Sequence, residues 1–163
     1  MKKQMLLIMF LGAFFITGNV SAQSYQTAVG LRFGGLTSGL TVKHFVSKTS
    51  ALEGILSVGR RSFIVTGLYE KHIPVDNSNA FKFYFGGGGH LGFFQNDGGY
   101  YYYNDRPLYT TSYTVAGIDG IAGIEYKFKE APINIGLDFK PFIDFFNGNT
   151  VYFDGGLSIR YTF

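Results

Sequence analysis

The 163-residue chain has no cysteine and no tryptophan, and only four prolines. Without thiols, neither a disulfide scaffold nor a thiolate metal site is available. Charge is sparse as well: Asp, Glu, Lys and Arg make up 15% of residues, fourteen bases against eleven acids. Two of those bases, Lys2 and Lys3, fall in the first 22 residues, so the rest of the chain carries twelve bases against the eleven acids. A balance so close to neutral offers no basic surface for nucleic acid. Beyond residue 22 no apolar run approaches the roughly 18 residues of a spanning helix. His44, His72 and His90 stand far apart, with no pair at metal-ligand spacing, so no metal or other cofactor is expected.

The start of the chain has the three parts of a secretory leader. Lys2 and Lys3 form a basic n-region, Met5 to Ile16 an uncharged apolar stretch, and Val20-Ser21-Ala22 a small-residue cleavage site. The apolar stretch is too short to span a bilayer as a helix. Residues 1–22 are therefore predicted to be a cleaved signal peptide, and residues 23–163 a single domain.

What the domain has in quantity is glycine, 23 residues in the whole chain, and aromatics, 18 Phe and 12 Tyr. These are arranged with a period of two. Eight segments alternate greasy and polar side chains, at about 25–34, 39–46, 51–59, 62–71, 80–94, 113–128, 132–144 and 150–163. In "INIGLDFK" the apolar residues recur at every second position, which lines one face of a strand but smears around a helix. Only the fourth segment is ambiguous, because Phe63, Val65 and Tyr69 compete with Ile64, Thr66, Leu68 and Glu70. The links alternate between short ones, "SKTS", "HIPVDNSNA" and "KEAP", and a set that includes one much longer, "QNDGGYYYYNDRPLYTTS". The expectation is all-β: an eight-stranded antiparallel up-and-down transmembrane β-barrel.

The two parities decide which face meets what. One holds large apolar residues and almost no charge. The other holds glycines together with Arg32, Lys43, Glu53, Lys82, Asp119, Glu125, Lys127, Asp138, Lys140, Asp154 and Arg160. A soluble barrel would point its apolar set inward. Large residues on the greasy side and glycine or charge on the other suggest the reverse, apolar outward into lipid. Eight strands leave an interior just wide enough for side chains. Six bases and five acids are then expected to interlock as an ion-pair network, because an unpaired buried charge costs several kcal/mol. On that reading the lumen is filled and is not an open pore.

The chain ends "DGGLSIRYTF", alternating strictly up to an aromatic terminus. With "FKFYFGGGGHLGF" and "NIGLDFKPF", this ending resembles the small eight-stranded outer-membrane barrels of the OmpX-, OmpA- and OmpW-like group, over essentially the whole mature chain. The resemblance implies an outer-membrane location, with membrane lipid and the barrel-assembly machinery as partners. It also implies that Leu157, Ile159, Tyr161 and Phe163 form the terminal signal which that machinery reads. The group shares no catalytic motif, so a structural or surface-interaction role without catalysis, in a monomer, is expected. The alternatives are an OmpW-like carrier of small hydrophobic molecules, which needs an apolar interior, and a lipid-modifying enzyme, which needs a nucleophile within reach of a base at the outer rim. "GGGGH" lacks the Lys-Ser/Thr of a phosphate loop and reads as a crowded part of a strand. The tyrosine-rich loop, with Tyr100, Tyr101, Tyr102, Tyr103, Arg106 and Tyr109, suits a membrane-interface belt or contact with an extracellular ligand or surface partner.

Overall fold

The computed structural model describes residues 26–59, 62–75, 80–94, 113–145 and 150–163. The leader and the tyrosine-rich loop lie outside the described residues. Eight strands follow one another in chain order: β1 (Thr27–Gly34), β2 (Gly39–Phe45), β3 (Ser50–Val58), β4 (Ser62–Pro74), β5 (Phe81–Phe94), β6 (Tyr113–Lys127), β7 (Ile133–Asp144) and β8 (Thr150–Thr162). Each pairs antiparallel with its neighbours, and β8 returns to β1, so the sheet closes into a barrel. No helix long and apolar enough to cross a membrane occurs among the described residues.

Closure rests on the register Ala28↔Thr162 through Gly34↔Gly156. It extends to the last residue: Phe163 N donates to Thr27 O at 2.8 Å, and Phe163 O accepts from Gln26 N at 3.0 Å. The carboxy terminus is ordered because the seam pairs its backbone. Hydrocarbon offers no partner to N–H or C=O, so an unpaired end strand there would be costly. The start of β1 and the end of β8 lie at one end of the barrel, the terminal end, with the ends of β2, β4 and β6. The ends of β1, β3, β5 and β7 lie at the far end.

Every strand has two faces, and the barrel sorts them by polarity. Outward lie Leu31, Phe33, Leu40, Val42, Leu52, Val65, Tyr69, Phe85, Leu91, Leu137, Phe139, Phe153 and Ile159, all well exposed. The largest fully buried side chains are led instead by Arg32 and Arg160, each 1% exposed. The ambiguity of β4 resolves the same way, with Ile64, Thr66, Leu68, Glu70 and His72 inward and Phe63, Val65 and Tyr69 outward.

Two local features follow from residue type. The β6–β7 ladder runs from Gly117↔Asp144 to Lys127↔Asn134 but has no pair at Gly120 and Ile121, opposite Pro141 and Lys140. Proline has no N–H to give, and the break falls there without a change of register. In β5, Gly86 and Gly88 leave no room for a side chain against the backbone of β4: a Cβ on Gly88 would meet Gly67 O at 1.8 Å.

Candidate functional site

The barrel interior contains the charged groups, and the strands hold them in three clusters. The first lies toward the terminal end. Lys43 Nζ on β2 sits 3.1 Å from Glu53 on β3, 2.7 Å from Glu70 on β4 and 3.6 Å from Glu125 on β6. Arg160 Nη2 on β8 donates to Glu53 Oε1 at 2.5 Å, and Arg160 Nη1 donates to Asn134 Oδ1 at 3.3 Å. Thr41 donates its hydroxyl to the same Glu53 oxygen. His72 places Nε2 3.0 Å from Glu70 and Nδ1 3.2 Å from Glu125. Tyr84 stacks on His72, ring centroids 5.1 Å apart, and its ring also faces Lys43 Nζ at 4.1 Å. Seven strands, β2 to β8, thus contribute side chains around one ammonium and one guanidinium.

The second cluster centres on Arg32 of β1. Its guanidinium grips Asp138 of β7 with two donors, Nη2 to Oδ1 at 2.5 Å and Nε to Oδ2 at 3.3 Å. Its Nη1 donates to Asp154 Oδ2 of β8 at 2.9 Å. A forked cation between two carboxylates is geometry that arginine provides and lysine does not. Space for it comes from Gly156, where a Cβ would stand 2.5 Å from Arg32 Cζ.

The third cluster lies toward the far end. His90 of β5 bridges Asp119 of β6 and Asp144 of β7, each ring nitrogen 2.8 Å from a carboxylate oxygen. Lys140 Nζ donates to the other oxygen of Asp119 at 2.9 Å. Neutral imidazole can donate from one nitrogen only, so contacts to two carboxylates require one further proton, on the ring or on an acid. Between the first and third clusters lies an apolar layer of Ile55, Leu68, Tyr84 and Ile121.

Of the charged residues read from the sequence, Arg32, Lys43, Glu53, Asp119, Glu125, Asp138, Lys140 and Arg160 sit buried in these clusters. Asp154 joins them. Lys82 faces inward nearer the mouth, half-buried, its Nζ 4.7 Å from the centre of the Phe45 ring. Lys127 stands at the terminal rim, bonded to the carbonyls of Phe128 and Ala131. Sequence reasoning missed Glu70, His72, Asp144, Thr37 and Tyr84 as members. Two of these are acids, and each lies against a buried histidine, so the interior holds more carboxylates than its parity pattern suggested. Leu157, Ile159, Tyr161 and Phe163 alternate outward along β8, with Tyr161 and Phe163 rings meeting edge to face at 5.0 Å. His44 lies outside near the terminal rim, Nδ1 2.9 Å from Thr27 Oγ1.

A closed wall of eight strands, apolar outside and ionic inside, has the build of a membrane-spanning barrel. The chain has the fold of the small eight-stranded outer-membrane barrels. It superposes on the N-terminal β-barrel domain of Pseudomonas aeruginosa OprF with a TM-score of 0.62 at 12% identity, covering 84% of this chain and 95% of that one. A second similar structure is Neisserial surface protein A (NspA), TM-score 0.48 at 14% identity, covering 84% of this chain and 93% of that one. Neither a protein-family model nor a curated protein matches the sequence.

Proposed function

We propose that the protein is an integral outer-membrane barrel, exported by the leader at residues 1–22, with a structural or surface-interaction role and no catalysis. Its lumen is a plug of ion pairs and not an open pore. One observation carries this reading: the two largest fully buried side chains are arginines, while Leu137 on the outer wall is 56% exposed. In water that arrangement would be strongly disfavoured at about 25 cal/mol per Å² of exposed apolar surface, whereas hydrocarbon removes the cost. Charged side chains that fill the axis and pair with one another leave no water column for ions to follow. The apolar layer of Ile55, Leu68, Tyr84 and Ile121 favours the hydrophobic-carrier reading to a degree, but ionic clusters flank it on both sides.

The test is conductance. Purified protein reconstituted in planar bilayers is expected to give no sustained conductance, and a stable ohmic pore would contradict the plugged lumen. The surface-interaction part rests on Tyr100, Tyr101, Tyr102, Tyr103, Arg106 and Tyr109. Replacing the four consecutive tyrosines by serine is expected to abolish binding to a glycan or cell surface while leaving barrel assembly intact. Binding that survives the replacement would rule out this loop as the contact.

A further inference from the structure

The turn between β1 and β2, residues 35–38, is not a free loop. Thr37 is 1% exposed. The Asp154 carboxylate takes in the turn's donors: Leu36 N at 2.9 Å on Oδ1, then Thr37 N at 3.2 Å and the Thr37 hydroxyl at 2.5 Å on Oδ2. Arg32 Nη1 holds the same residue from the other side, donating to Thr37 O at 2.6 Å and to Thr37 Oγ1 at 2.8 Å. Gly35 N adds a bond to Gly155 O at 3.2 Å. One carboxylate on β8 and one guanidinium on β1 therefore draw the turn inward at the far end of the barrel. Just below it, two lumen-facing hydroxyls, Ser57 Oγ and Thr66 Oγ1, are buried without a hydrogen-bond partner among the described residues. Ser57 lies opposite Gly39, the first residue after the turn, and Thr66 opposite His90.

We propose that residues 35–38 are a latch, held shut by Asp154 and Arg32, that controls entry of water and small polar solutes to the far half of the lumen. Buried hydroxyls with unmet hydrogen bonds favour such a guest. Release of the turn exposes Ser57, Thr66 and the His90 cluster, while the Lys43–Arg160 cluster keeps the barrel blocked further in. The latch rests on the plugged-lumen reading, and its test separates the two.

The chain has no cysteine, so a single Thr66→Cys reporter can be read against no background. The protein is refolded into vesicles, and folding is verified by heat-modifiable migration on gels. A sulfonated, membrane-impermeant thiol reagent is then applied. Asp154→Asn places an amide donor against the Leu36 or Thr37 donors. Losing a hydrogen bond to a charged group raises the population of the released turn by about tenfold or more. With the latch intact, slow labelling of the reporter is expected. With Asp154→Asn, labelling is expected to be about tenfold faster, and a control Thr162→Cys at the terminal end should stay unchanged. Equal protection of the Thr66→Cys reporter in both backgrounds overturns the latch and leaves the plug standing. Equal acceleration at both reporters overturns the latch as general loosening. Fast labelling with the latch intact overturns the plugged lumen itself. Should Asp154→Asn fail to fold, Thr37→Val is read in its place, since it removes only the hydroxyl and leaves the Arg32–Asp154 pair.

Discussion

At the scale of single residues, the interior is governed by the cost of stranding a charge. Arg160 offsets Glu53, which is also held by Lys43 and by the Thr41 hydroxyl. Arg160→Ala leaves that carboxylate with one cation fewer in a buried site. The expected loss is about 3–5 kcal/mol of unfolding free energy, measured by urea titration in lipid vesicles. A loss below about 1 kcal/mol, typical of an exposed pair, would mean that water reaches Glu53. Gly156 tests packing where Arg160 tests charge. Gly156→Ala puts a methyl 2.5 Å from Arg32 Cζ, so the guanidinium must leave its fork with Asp138. The expected cost is about 1–3 kcal/mol, with C-terminal neighbours such as Ser158→Ala nearly neutral in the same titration.

At the scale of the strand, the period of two carries most of the information. Leu137 lies on the outer face of β7, between Asp138 and Gly136 on the inner face. Leu137→Arg sets a charge against the acyl chains and is expected to cost about 2–4 kcal/mol, and a vesicle-folding titration without loss would contradict the outward assignment. The same alternation made all eight strands legible in the sequence, and charge on one parity told inside from outside. What escaped did so for physical reasons. β4 carries Ile64 and Leu68 inward and Phe63 and Val65 outward, so hydrophobicity alone could not choose its face. Glu70 was hidden by that tie, and His72 lay just past the segment read from the sequence, because β4 runs on to Pro74. Asp144 sits on the last position of β7, where a strand end and a loop look alike. Thr37 sits in a turn, where no period applies, and its burial depends on Asp154, 117 residues away in sequence. Tyr84 was placed on the correct parity, but its stacking on His72 needed β4 and β5 in register.

At the scale of the molecule, closure, polarity and the chain terminus belong to one argument. The sheet must close because hydrocarbon leaves no other partner for its edge strands. Phe163 lies on the strand that completes the seam, and both of its backbone groups are bonded across it. Deleting Phe163 removes those bonds and the terminal aromatic side chain together. The deletion is expected to lower the yield of heat-modifiable barrel in cells much more than the yield refolded from urea into detergent. Equal yields in both settings would count against a terminal assembly signal.

The central claim is that the outer wall meets lipid all the way round. Because the chain has no tryptophan, single indoles can be placed at outward sites on opposite sides of the barrel, with Leu137→Trp on β7 and Val65→Trp on β4. Fluorescence is then read in vesicles whose acyl chains carry bromine. Strong quenching by the brominated chains at both sites, with little effect of aqueous acrylamide, is the predicted result. Acrylamide quenching at both sites with no effect of bromine would place the wall in water and overturn the account.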